Sequence, residues 1–221
     1  MKEVGQRTTI KSLLKGKTIV VMVDRPKLFL KLIRLLNRLG IRYTVDLSVD
    51  DNQADLVIVS KGRSGNGNVM TVCEELVSKE MLFSLELLRH ILKINIYNKI
   101  IMGIDPGERI GVAVIGDGVF VYGTVLVEVN ATIELIKQLI EYSRARSILV
   151  RIGMFAGGSR IAVDLAKTLS HSNVRIELVD ERHVSSLAKI CSKILGRASR
   201  NIVSAYAIAI AGDKGLSVSI C

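Results

Sequence analysis

Two acidic clusters lie where apolar runs end. Asp105 sits within Gly103-Ile104-Asp105-Pro106-Gly107, and Asp180-Glu181-Arg182 closes a later run. Carboxylates are hard oxygen ligands suited to a hard cation. In an open sheet the carboxyl ends of strands converge on one crevice. Each cluster also has a purely structural reading. Asp105 before proline and glycine is a side-chain turn former, and Asp180 suits the N-cap of a following helix. Beyond the second cluster come Arg182, Lys189, Lys193, Arg197 and Arg200, with no acid between Glu181 and Asp213. Arg151 and Arg160 belong to the neighbouring strand end and loop. Cations in such a run either contact phosphates or form a solvated helix face.

Other candidate chemistry is thin. Cys73, Cys191 and Cys221, and His90, His171 and His183, have no metal-ligand spacing. An odd number of scattered cysteines reads as incidental thiols in a reducing compartment. The segment Lys61-Gly62-Arg63-Ser64-Gly65-Asn66-Gly67-Asn68 follows a strand but matches neither nucleotide-binding glycine fingerprint, so it reads as a surface loop. Arg25, Lys27, Lys31, Arg34 and Arg38 make a basic face on one helix, with no acid within that helix to neutralise it.

The elements that must carry these residues follow from periodicity and turn signals. In the first half, 18–23 reads as a buried strand. Asp24 is placed as N-cap and Pro26 as an early helical proline, with a helix over 26–39 stopped by Gly40. Strands at 41–45 and 55–60 complete a small α/β unit with a parallel sheet, a short helix lying between them. Helical material over 72–96 leads to a boundary at Asn98, giving domains 1–97 and 98–221. In the second half, strands at 99–104, 109–115 and 119–129 run antiparallel, the Asp117-Gly118 hairpin turn joining the second to the third. A helix over 131–144, a strand over 147–152, a helix over 159–170, a strand over 174–179 and helices over 183–195 and 199–211 follow. The order is β-β-β-α-β-α-β-α, a mixed five-stranded sheet.

Composition sets the class. Of 221 residues, 49% are hydrophobic, which excludes disorder. No apolar run reaches the length of a membrane span, and the first residues lack the apolar stretch of a secretory signal. The expectation is a soluble, cytoplasmic protein without a membrane partner. Thirty-one Lys and Arg against 21 Asp and Glu leave a net charge of +10, which favours polyanions, nucleic acid first. The absence of Trp and the scarcity of Gln hint at a thermophilic source.

The strand order, Gly103-Ile104-Asp105-Pro106-Gly107 with Gly111 beyond it, and Val179-Asp180-Glu181-Arg182 with Ser185 resemble the ribonuclease H-like fold. Within it they resemble the RuvC-like and YqgF-like branch of Holliday-junction resolvases. The Ile152-Gly153-Met154 turn and the glycines at 157 and 158 add to the match, which spans about residues 98–213. The resemblance implies an archaeal-type nuclease-class protein that binds structured nucleic acid, DNA before RNA. It further implies Mg²⁺ (or Mn²⁺) held by Asp105, Glu181 and Asp180, metal-assisted phosphodiester cleavage, and a homodimer for cutting two strands. Nucleic-acid contacts fall to Arg151, Arg160, Arg182, Lys189, Lys193, Arg197 and Arg200. The family's last helix begins with a further carboxylate. Here Asn201 or Ser204 stands in its place; Asn201 is taken to complete the shell. Neither is anionic, and Arg151 occupies a strand position where RuvC-like enzymes place a glutamate. A catalytically inactive member that binds nucleic acid or scaffolds a repair complex is therefore the alternative. An actin-like or sugar-kinase-like phosphotransferase, sharing the Asp-x-Gly-x-x-x-Gly turn, is a third reading, and residues 1–97 show no second phosphate loop for it.

Overall fold

The computed structural model describes residues 8–45, 54–62, 68–154, 163, 167, 174–180, 182 and 184–211. The chain divides into two compact units, Ile10–Asn95 and Met1–Thr9 with Ile96–Cys221. Each has its own sheet.

In the smaller unit, α1 (Ile10–Leu13), β2 (Ile19–Met22), α2 (Pro26–Leu39), β3 (Leu56–Ser60), β4 (Val69–Val72), α3 (Glu74–Ser78) and α4 (Glu80–Ile91) follow in order. The strands are parallel in the order β2-β3-β4. Every residue of β2 and β3 is buried, as expected where a parallel sheet is covered on both faces. Helix α2 starts with Pro26 in its first turn and ends at Gly40 in the left-handed region, burying Leu28, Leu32, Leu35 and Leu36. Four features depart from the sequence reading. Residues 41–45 contribute only an isolated bridge, Thr44 to Val20. Strand β4 was hidden among polar neighbours. Arg25, not Asp24, occupies the N-cap of α2, while the Asp24 carboxylate accepts the Ser60 hydroxyl. The basic face of α2 does meet acids, from other helices: Lys31 lies 2.8 Å and Lys27 3.6 Å from Glu74, and Arg38 lies 2.6 Å from Glu80. The short helix expected between residues 45 and 55 and most of the glycine-rich loop lie outside the described residues.

The larger unit contains β1 (Thr8–Thr9), β5 (Ile100–Asp105), β6 (Ile110–Gly116), β7 (Val119–Leu126), α5 (Val129–Tyr142), β8 (Ile148–Met154), β9 (Arg175–Asp180), α6 (Val184–Leu195) and α7 (Arg200–Ile210). The sheet order is β1-β7-β6-β5-β8-β9. Strands β5, β6 and β7 are antiparallel, and β8 and β9 extend the sheet in parallel with β5. Those five strands have the order and directions of a ribonuclease H-like sheet, and the fold is mixed α/β. Thr8–Thr9 adds a sixth strand by parallel pairing with β7. Of the helix expected over 159–170, Val163 and Lys167 are helical, and the rest lies outside the described residues.

One face of this sheet is built to receive α7. Ile101 and Gly103 of β5, Gly111 and Ala113 of β6 and Gly123 of β7 form its floor. A Cβ on Gly103 would come within 2.1 Å of the Ala205 carbonyl oxygen, and one on Gly111 within 2.1 Å of the Asn201 carbonyl oxygen. Only glycine permits so close a backbone approach. Above this floor Val203, Ala205, Tyr206, Ala207, Ile208 and Ala209 are buried, and Tyr206 meets Phe120 edge to face with centroids 5.3 Å apart.

Candidate nucleic-acid interface beside Asp105

Asp105 is the last residue of β5 and pairs with Gly111 of β6. Side chains alternate along a strand, so Asp105 shares the α7 face with Gly103 and Ile101. Its carboxyl is partly buried, and burial pushes its pKa above the usual aspartate value, against a smaller lowering by the Ser204 hydroxyl that donates to it. Ser204 is therefore the residue of α7 that reaches Asp105. Asn201, one turn earlier, lies over Gly111. Its side-chain nitrogen donates to the Arg109 carbonyl at 2.6 Å.

Asp180 ends β9 and pairs in register with Met154 of β8. Two strand spacings, about 10 Å, separate the backbones of β5 and β9. Parity also divides them: Glu177 and Val179 share the α7 face, because Arg151 of β8 pairs with Glu177 and Val179 joins the core beneath α7. Asp180 alternates to the other face. Its carboxylate accepts the Arg182 backbone N–H at 2.9 Å and is also held by the Arg182 guanidinium. That is a turn with its own cation. Glu181 and Arg160 lie outside the described residues.

Mg²⁺ bound by oxygens at about 2.1 Å needs carboxylates that converge within a few ångströms. Asp105 brings one, desolvated and hydrogen-bonded by a neutral hydroxyl, while Asp180 points away and is neutralised by Arg182. Among the described residues no three acidic, histidine or cysteine side chains gather into a possible metal site. The described residues do not fit the ion that the fold family implies.

Arg151 is a second departure. It is 6% exposed, its Nε donates to Glu177 at 2.8 Å, and its Nη1 donates to the Ala209 carbonyl at 2.9 Å. Arg175 approaches Glu177 from the surface side at 2.9 Å. Arg151 thus ties the far end of α7 to the sheet and is unavailable to a phosphate. A cation in the middle of an apolar strand next to a carboxylate-bearing strand is the signal for such a buried pair.

The remaining cations are on the surface. Lys189 and Lys193 are exposed on α6, Arg197 and Arg200 are exposed between α6 and the first turn of α7, and Arg182 is exposed beside Asp180. Lys189, Lys193, Arg197 and Arg200 make no ion pair among the described residues. Arg109 is likewise exposed, at the β5–β6 turn that follows Asp105. The sequence reading missed it, although its place between Asp105 and Gly111 puts it in the turn that joins their strands.

No protein-family model matches the chain, and no curated protein does. Among solved structures, the chain is similar to Thermus thermophilus RuvC at 18% identity and a TM-score of 0.38, covering 50% of this chain and 90% of that one. It is also similar to the Argonaute of Marinitoga piezophila in complex with guide RNA and target DNA. There the identity is 11% and the TM-score 0.30, covering 74% of this chain and 39% of that one. The chain thus spans well under half the length of that Argonaute. Likenesses this loose carry nothing about function.

Proposed function

We propose that this chain binds nucleic acid through the basic surface around α6, the start of α7 and the β5–β6 turn, and that it does so without metal-dependent cleavage. One observation carries the reading: exposed cations run from Lys189 to Arg200 with no acid before Asp213, and among the described residues no group of three possible metal ligands forms around Asp105. Uncompensated surface cations in a chain of net charge +10 suit a phosphodiester backbone. The carboxylate that would bring a metal to that backbone is represented by Ser204, a neutral residue. DNA in a branched or single-stranded form is the first substrate to try, RNA the second.

The test incubates the purified chain with labelled four-way junction, duplex and single-stranded substrates, with Mg²⁺, Mn²⁺ or EDTA, read on native and denaturing gels. Asp105→Asn serves as control. Shifted bands without cuts, unchanged by EDTA and by Asp105→Asn, are expected. Lys193→Glu with Arg197→Glu should weaken binding by about tenfold or more and flatten its salt dependence. Metal-dependent cuts that vanish in Asp105→Asn would overturn the non-cleaving reading and bring Glu181 into the site. No shift on any substrate at low salt would overturn the binding reading itself.

A further inference from the structure

We infer that Arg109 and Arg200 act together as a phosphate clamp whose geometry is set by Asn201; this rests on the nucleic-acid reading above and names its central contacts. Arg109 immediately precedes β6. It lies two residues before Gly111, the cross-strand partner of Asp105, in the bend that joins β5 to β6. Its backbone is held twice. Gly111, two residues on, lets the α7 backbone approach so closely that a Cβ would lie 2.1 Å from the Asn201 carbonyl oxygen. The Asn201 side chain then donates to the Arg109 carbonyl at 2.6 Å. The residue before Asn201 is Arg200, so the same contact that fixes the turn also fixes the spacing between two arginine-bearing backbones.

Both arginines are exposed, and neither makes an ion pair among the described residues. That distinguishes them from Arg182, occupied by Asp180, and from Arg151, buried on Glu177. A guanidinium presents a planar fork of donors that matches a phosphate. A backbone already locked reduces the ordering cost of binding. Further exposed cations, Arg197, Lys193 and Lys189, precede Arg200 in the chain, which favours an extended polyanion over an isolated anion. Asn201 is therefore a positioning residue: it touches no phosphate and orients the arginine that does.

The experiment measures binding of labelled single-stranded DNA, and in a parallel arm RNA of the same sequence, by fluorescence anisotropy over a salt series. The full chain is compared with Arg109→Gln, Arg200→Gln, Asn201→Ala and the Arg109→Gln/Asn201→Ala double variant. Each arginine variant should reduce the slope of log affinity against log salt by about 1. Asn201→Ala removes no charge, yet should reduce the slope nearly as much as Arg109→Gln, and adding it to Arg109→Gln should change nothing further. A merely structural asparagine would lower the melting temperature and leave the slope alone. If Asn201→Ala does not fold, the two arginine variants decide. Wild-type slopes in both, or additive losses in the double variant, would overturn the clamp. If the wild type binds and Lys193→Glu/Arg197→Glu abolishes binding while Arg109→Gln and Arg200→Gln are silent, the clamp fails and the nucleic-acid reading stands. If the wild type binds neither DNA nor RNA, both fall.

Discussion

Asp105 shows how a neighbour's identity changes what a carboxylate does. Burial at the end of β5 makes its charge costly, and the Ser204 hydroxyl offsets only part of that cost. With its folded pKa raised, Asp105 contributes stability that is fully present below its usual value of 3.8 and is lost as pH rises through the folded value. The neutral, isosteric Asp105→Asn variant should therefore melt above the wild type at pH 7. The gap should close as pH is lowered below that usual value, where both side chains are uncharged. Thermal melts across this range check it, and a lower melting temperature at pH 7 would mean that Asp105 holds a stabilising partner beyond Ser204. Arg151 makes the complementary point. A cation predicted to lie at the interface is buried instead, because Glu177 and the Ala209 carbonyl satisfy it.

At the scale of elements, the seat of α7 organises the site. The helix has Ser199 as its N-cap, whose hydroxyl accepts the Ile202 N–H. It lies directly on glycines of three strands, and that proximity brings Ser204 to Asp105 and Asn201 to the Arg109 carbonyl. Gly103→Ala places a methyl group against the Ala205 carbonyl oxygen and the Ala209 side chain, both part of the helix rather than flexible side-chain ends. The helix must lift. We expect a loss of about 3 kcal/mol or more in urea unfolding, at the upper end of what overpacking costs. Nucleic-acid affinity should fall with it, since the Asn201 contact is broken as α7 rises. A variant as stable as the wild type would show that the helix slides without loss.

At the scale of the whole molecule, two units with separate sheets offer separate titrations. In the smaller unit Glu86 sits among Arg89, His90 and Asn68, with His90 Nδ1 3.2 Å from Asn68 Oδ1 and His90 Nε2 3.2 Å from Glu86 Oε1. The Asn68 side-chain nitrogen donates to the carbonyls of Asp55 and His90, each at 2.9 Å, joining the start of β4 to the end of α4. Burial raises the Glu86 carboxyl, but hydrogen bonds from His90 and Arg89 and the Arg89 charge outweigh it and bring the pKa down to about 2. A depressed carboxylate contributes stability above its unfolded value of 4.5 that disappears as pH falls through about 2. Glu86→Gln should cost the Ile10–Asn95 unit about 1–2 kcal/mol at neutral pH once solvent screening is allowed for. The difference should vanish toward pH 2. Hydrogen exchange at amides of β3 and α4 reads this unit by itself, and equal protection in both proteins at pH 7 would count against the network.

What the sequence determined by itself was local. The apolar periods, Pro26, Gly40, the Asp117-Gly118 turn and the order of strands and helices over residues 99–211 follow from interactions a few residues apart. So does the position of Asp105 at the end of β5. The rest depends on register and face between segments far apart in the chain. Ser204 rather than Asn201 reaches Asp105 because glycines set how α7 lies on β5 and β6. Arg151 is buried because the parallel register of β8 and β9 puts it opposite Glu177. Asp105 and Asp180 end strands separated by β8 and lie on opposite faces of the sheet, and the cations of α2 meet Glu74 and Glu80 from helices much later in the chain. Thr8–Thr9 joins a sheet whose other strands begin at Ile100, a pairing that no local period encodes. A one-residue change in parity reverses the face of every side chain on a strand, so residues that read alike along the chain become a core ion pair, a turn or an exposed cation according to pairings formed across it.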